Sequence, residues 1–249
     1  MVPIKQRILK EGSRNRPFTR SNSGIYRLIN QRKYLCIHET GNRAKTAGAA
    51  NHAAWLYNNP EMLTGYHYTV DHQQIYQHIP VTEGAWHATD GVSGEGNRHS
   101  IGIEICVNMV DFDYPLYLKA IDNTAWLCAE LIKQERTLKY PDCIKQHNDF
   151  YRKNCPEVMR QRSLWSGFVD AVGAYLHGSE APWPVYPIPR IVKTVGVEHD
   201  GKRTDEVGFL APDPVTNQLQ TYVRAGFAAQ TPKSKVTGHG DHIKWTTES

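Results

Sequence analysis

No apolar stretch in this chain approaches the roughly 18 residues that a membrane helix requires, which argues against a membrane-spanning protein. The start, Met1-Val-Pro-Ile-Lys-Gln-Arg, carries charge without a following apolar segment and small-residue cleavage site. No secretory leader is therefore expected, and a protein made in the cytoplasm would need another route to any target outside it. Cysteine is sparse and odd in number: Cys36, Cys106, Cys128, Cys143 and Cys155 lie in apolar segments, which favours reduced thiols over a disulfide framework. Charge is weak and unclustered at a formal +4, so nucleic-acid binding has little support, while attraction to an anionic polymer such as a cell wall is permitted. No internal repeat stands out.

What is present is enough for one sizeable core and a smaller second domain: 249 residues, 40% of them hydrophobic. Residues 1–30 are basic and polar and read as an arm packing through Phe18, Ile25, Tyr26 and Leu28. Tyr34-Leu-Cys-Ile37 is an apolar run that delivers His38 at its end, as a buried strand would. A polar turn from Glu39 leads to an Ala-rich helix over 46–59, stopped by Asn58-Asn59-Pro60. Gly65 to Asp71 and Gln74 to Ile79 alternate as a hairpin, and 91–96 is a Gly-rich loop. Ser100-Ile-Gly-Ile-Glu-Ile-Cys-Val107 predicts a central strand. Apolar residues at 118, 121, 125, 128 and 132 predict an amphipathic helix over 116–138. A short strand near Cys143-Ile144 and a last helix over 164–176 complete an α/β layer fold, with a catalytic domain over 1–178. The proline-rich 179–190 predicts a stiff linker. A small β-rich module over 191–249 would hold a hairpin turning at Asp200-Gly201 and a third strand over Leu219 to Phe227.

The chemistry gathers at Lys145-Gln-His147-Asn-Asp-Phe-Tyr-Arg-Lys153-Asn-Cys155-Pro156. Imidazole and thiolate both suit zinc, and the spacing requires this segment to loop back if His147 and Cys155 are to share one ion. His38 is the candidate third ligand, which leaves an open position, the pattern of a catalytic rather than a structural zinc. The bland alternative is a surface histidine or a buried filler cysteine at each place. Glu104, a carboxylate between Ile103 and Ile105, is costly there unless it is paired or works as a general base with a raised pKa; a buried salt bridge is its plain alternative. Lys153 would stabilise an oxyanion, or simply be solvated. Tyr66 and His87 would each donate to a carbonyl in a cleft, or merely pack. His239, Asp241 and His242 hint at a second metal, with a polar terminus as the rival.

His38 after its strand, Gly65-Tyr66-His67-Tyr68, Trp86-His87-Ala88, Asn97 with Ser100-Ile-Gly-Ile-Glu104, and His147 with Lys153-Asn-Cys155-Pro156 together resemble the type 2 N-acetylmuramoyl-L-alanine amidases. That group includes phage endolysin amidases and peptidoglycan recognition proteins, and the resemblance covers about residues 20–178. It implies a mixed β-sheet flanked by helices, one zinc ion on His38, His147 and Cys155, and cleavage between N-acetylmuramic acid and L-alanine in peptidoglycan. Glu104 becomes the base, Lys153 and Tyr66 assist at the carbonyl oxygen, and His87 is a cleft residue that binds substrate. Some relatives lack the acid at the Glu104 position, so the division of labour with Tyr66 and Lys153 stays open. Non-catalytic recognition proteins of this fold typically lack the cysteine, so Cys155 favours an enzyme. A phage or prophage endolysin is implied, made in the host cytoplasm and released through a holin lesion. A muropeptide-binding module without activity and a zinc endopeptidase are the alternatives. Residues 191–249 match no wall-binding repeat, so wall binding there is expected from position only, with dimerisation or structural support as rivals.

Overall fold

Two inner strands carry the architecture: β4 (Tyr34–Glu39) and β7 (Ser100–Ile105), which pair in parallel with His38 opposite Glu104. Side chains alternate across a strand. Leu35, Ile37, Ile101, Ile103 and Ile105, all fully buried, therefore face one side, while Cys36, His38, Gly102 and Glu104 face the other. The computed structural model describes residues 2–21, 24–27, 29–178, 193–199, 202–212, 219–222, 234–239 and 242–247, the backbone alone for 18–21, 24–27 and everything past 192.

In chain order, β1 (Ile4–Gln6), β2 (Phe18–Ser21) and β3 (Gly24–Arg27) precede β4. Then come α1 (Ala49–Asn58), β5 (Tyr68–Val70), β6 (Ile75–Gln77), α2 (Glu95–His99), β7, α3 (Tyr114–Gln134), β8 (Ile144–Gln146), α4 (His147–Phe150), α5 (Glu157–Gln161) and α6 (Trp165–His177). The main sheet runs β1-β6-β5-β7-β4-β8; only the β5–β6 hairpin is antiparallel, so the sheet is mixed. β2 and β3 form a separate two-stranded ribbon.

The α3 helix shows why the long periodic segment was readable. Asp113 accepts from the Leu116 amide at its start, a proline stands in its first turn, and Leu118, Ile121, Ala125 and Cys128 are buried. It packs against β5, β7 and α6. It ends at Gln134, short of the predicted 138, because Glu135 turns extended and takes an ion pair from Arg32 at 2.7 Å. The α1 helix starts three residues later than predicted: Asp71 Oδ2 accepts from the Ala49 amide at 2.8 Å and fixes the first turn there.

The amino-terminal arm contains an edge strand that the sequence did not predict. Ile4–Gln6 adds a parallel edge strand to β6, although its side chains are exposed, and Arg16 anchors the arm by pairing with Glu83 at 2.6 Å in a largely buried position. The expected packing of Phe18, Ile25, Tyr26 and Leu28 lies outside the described side chains. The Gly-rich loop holds a short helix, α2, whose start is tied by Asp90 accepting from the Gly96 and Asn97 amides at 2.6 and 3.2 Å.

The chain divides into two compact units, residues 1–185 and 186–249. In the second, β9 (Lys193–His199), β10 (Lys202–Pro212), β11 (Leu219–Tyr222), β12 (Ser234–His239) and β13 (His242–Thr247) form one sheet, ordered β11-β10-β9-β13-β12. β9 and β10 pair antiparallel on either side of Asp200-Gly201, and β11 pairs antiparallel to β10. The turn at 200–201, the expected linker over 179–190 and residues 223–227 of the expected third strand lie outside the described residues.

Candidate metal centre

β4 presents His38 at its carboxyl end, and β8, its neighbour on the other side, runs directly into His147 at the first position of α4. Beyond α4 the chain turns back: the Asn148 amide donates to the Cys155 carbonyl at 3.1 Å and the Asn148 side chain donates to the Lys153 carbonyl at 2.7 Å. The return brings Cys155 beside the two histidines. One donor atom from each of His38, His147 and Cys155 lies within 4.8 Å of the others, and all three residues are buried.

The donor set fits zinc. His147 Nε2 is 3.0 Å from the Ala88 carbonyl, which can only accept, so that nitrogen carries the proton and Nδ1 keeps its lone pair. This Nδ1 faces His38 Nδ1 at 3.0 Å, and Cys155 Sγ lies 3.9 Å from the same His38 atom. Bond lengths to zinc of about 2.0–2.1 Å for nitrogen and 2.3 Å for sulfur place tetrahedral neighbours roughly 3.3–3.6 Å apart, a range these two distances bracket. Burial pushes the Cys155 thiol up to about 12, with the Glu104 carboxylate adding to the rise, so a cation is what would draw the proton off. Burial likewise lowers His38 well below the usual imidazole range, with neighbouring His87 and His147 adding to the effect. Neutral imidazole is the ligating form.

Glu104 stands opposite His38 in register. Its Oε2 is buried and has no hydrogen-bond partner, and burial raises its carboxyl to about 8 despite the opposing pull of Lys153. No salt bridge holds Glu104 among the described residues, so the plain alternative for it is not what the structure contains. Two clefts of about 650 and 550 Å³ meet here and share Glu39, Thr64, Tyr66, Glu104 and Lys153 as walls. Lys153 is exposed and Tyr66 is buried, its phenol held well above the usual range first by burial and then by Glu104.

His87 also lines the smaller cleft, but its ring lies behind His38, with Nδ1 at 2.9 Å from His38 Nε2 and Nε2 at 3.4 Å from Ser100 Oγ. Gly102 makes room for that ring: a Cβ there would sit 2.6 to 2.8 Å from three of its atoms. Cys36, two residues before His38, places its sulfur 3.1 Å from the same His38 Nε2.

Several contributors had no clear sequence signal. Glu39 looks like the start of a polar turn, yet its buried carboxylate accepts from the Val158 and Met159 amides at 2.6 and 3.2 Å and from the Tyr117 hydroxyl, capping the short helix that follows Cys155. Its backbone also pulls the Cys155 thiol downward, against the larger rise from burial. His67 braces the sheet, bonding the Glu83 carbonyl through Nε2 at 2.8 Å and accepting the Gly102 amide at Nδ1 at 2.9 Å. His239 and His242 are cross-strand partners, but their side chains and Asp241 lie outside the described residues.

A family profile described as N-acetylmuramoyl-L-alanine amidase matches residues 29–158. The N-acetylmuramoyl-L-alanine amidase CwlH of Bacillus subtilis (strain 168) is 37% identical over 156 residues, covering 63% of this chain and 59% of its own. The amidase XlyA of the same strain is 38% identical over 173 residues, covering 70% and 52%. The chain thus spans little more than half the length of these curated relatives. Among solved structures, a mutant endolysin from Bacillus subtilis aligns with a TM-score of 0.60 at 38% identity over 70% of this chain and 100% of that one. The catalytic domain of XlyA aligns at 0.59 and 37% identity, over 69% and 100%.

Proposed function

The chain belongs to the N-acetylmuramoyl-L-alanine amidase family, and from that premise we propose that it is a zinc-dependent hydrolase of bacterial peptidoglycan, cutting the amide between the lactyl group of N-acetylmuramic acid and L-alanine. The observation that carries the reading is the convergence of His38, His147 and Cys155 beside Glu104, whose buried Oε2 is unpartnered, at the meeting of two clefts. His38 and His147 through Nδ1, and Cys155 through Sγ, would hold one zinc ion. When bound, zinc supplies Lewis-acid polarisation of a carbonyl and acidifies a nearby water.

The chain's own groups do the rest. Glu104 Oε2 takes the proton of the attacking water as oxygen bonds to the amide carbon. The ammonium of Lys153 and the hydroxyl of Tyr66 face the oxyanion that develops. Collapse breaks the carbon–nitrogen bond, and the proton held by Glu104 passes to the departing nitrogen, leaving a free L-alanine amine and a lactyl carboxylic acid that loses its proton to solvent. Mass spectrometry of digested walls tests this directly: stem peptides with an amino-terminal alanine and intact glycan strands are expected. Peptides cut at the crosslink would instead mean an endopeptidase, and undigested but bound walls a recognition module.

The endolysin likeness among solved structures supports a lytic role; synthesis in a host cytoplasm and release through a holin-type lesion are proposed with it. Peptidoglycan is the partner this reading requires; nucleic acid is not one, no described helix is long and apolar enough to cross a membrane, and oligomeric state is left open. Residues 191–249 are proposed to bind the wall.

A further inference from the structure

The Trp86-His87-Ala88 loop touches both imidazoles of the metal centre, and its hydrogen bonds run in one direction only. Ser100 Oγ lies 2.6 Å from the Gly96 carbonyl, which accepts and cannot donate, so the hydroxyl proton points there. The remaining lone pairs of Ser100 Oγ face His87 Nε2 at 3.4 Å, which makes that nitrogen the proton-bearing one. His87 Nδ1 is then an acceptor, and its partner at 2.9 Å, His38 Nε2, must be the donor. With its proton on Nε2, His38 has its lone pair on Nδ1, the atom that faces His147 Nδ1 and Cys155 Sγ.

The assignment ends at the Gly96 carbonyl, and in it Cys36 Sγ, 3.1 Å from the same His38 Nε2, is a second, weak acceptor of that proton. The arrangement is held in place from two sides. Asn97 Oδ1 accepts from the His87 and Ala88 amides at 2.9 and 2.8 Å, and the absent side chain of Gly102 leaves the space that the ring fills. The same loop fixes the other histidine, since the Ala88 carbonyl takes the Nε2 proton of His147 at 3.0 Å.

We propose that His87 is a positioning residue that, backed by Ser100, locks His38 in the tautomer and orientation that turn Nδ1 to the metal. The role assigned is to support a ligand rather than to bind substrate. It rests on the zinc reading above. Outer partners of ligating histidines orient the ring and raise its basicity, and their loss typically weakens metal affinity by roughly 10- to 100-fold.

Full-length protein stripped of metal and titrated with zinc against a chromophoric chelator tests the idea. His87→Leu should bind zinc 10- to 100-fold more weakly, Ser100→Ala should fall between that variant and wild type, and His87→Asn, which puts an acceptor oxygen near the place of Nδ1, should recover most of the affinity. A folded His87→Leu protein with wild-type affinity overturns the proposal. Should that variant not fold, the other two decide: equal affinity of Ser100→Ala and wild type, or His87→Asn no better than Ser100→Ala, would overturn it. Long-range proton–nitrogen spectra of the zinc-loaded wild type read the tautomer itself, and a His38 proton on Nδ1 would be fatal. Failure of wild-type protein to take up zinc would instead sink the metal reading on which this one stands.

Discussion

At Glu104 the sheet holds a buried carboxyl oxygen with no protein donor, beside the candidate metal ligands and at the meeting of two clefts. In the proposed mechanism this atom accepts the proton of the attacking water. Glu104→Gln removes that capacity while keeping shape, and is expected to leave the fold and zinc content intact while turnover of purified walls falls on the order of a hundredfold or more. Near-normal rates would hand the role to Tyr66 or Lys153. Cys155→Ser should lose zinc and lysis together, because serine is a far poorer ligand than thiolate; metal analysis of the purified variant checks this, and full zinc occupancy would contradict it. His38 and Glu104 stand out in the sequence as polar residues in apolar runs, whereas His147 and Cys155 lie in a polar segment and stand out by their residue types and by the family resemblance. Cys36, Glu39 and His67 do not stand out, since a core cysteine, a turn acid and a strand histidine look alike whether or not they support a ligand.

Among the elements, β4 and β7 could be read as apolar runs because both of their faces are buried, and α3 from its side-chain period because it buries one face against another layer. β1 escaped notice because three exposed residues at a sheet edge carry no apolar alternation, and α2 because its first turn lies in a glycine-rich loop and depends on Asp90. The helix α5 has the same character: short, without a side-chain cap of its own, and stopped from fraying by Glu39 across the chain. Glu39→Ala would strand those two amides and the Tyr117 hydroxyl. Urea unfolding should show a loss of about 1–3 kcal/mol, with Glu39→Gln losing less since one acceptor remains. An unaltered midpoint in both variants would show that the cap contributes nothing.

For the molecule as a whole, pH should act through histidines held neutral in the core. Burial lowers His67 to about 4 and His78 to about 3, against an ordinary imidazole value of 6.5. The unfolded chain therefore binds more protons than the folded one from pH 6.5 downward. The stability from these groups is complete above pH 6.5 and declines as pH falls toward 4, by about 1.4 kcal/mol per pH unit for each group fully within its window. Denaturant titrations across this range should show the decline, and a flatter slope in His67→Gln; a profile equal to wild type in that variant would remove His67 from the account. At the same scale, deleting residues 186–249 should reduce cosedimentation with cell walls if the second unit targets the enzyme, and unchanged cosedimentation would retire that assignment.

Because His38 and Glu104 stand opposite each other on parallel strands, deletions of one residue would have unequal effects in the two. Shortening β7 before residue 104 would swing the acid to the far face and leave the three donors where they are, uncoupling affinity from turnover. Shortening β4 before residue 38 would abolish both. On the proposed function, a lineage could thus pass from cutting its polymer to merely grasping it through an indel in one strand and not in its neighbour.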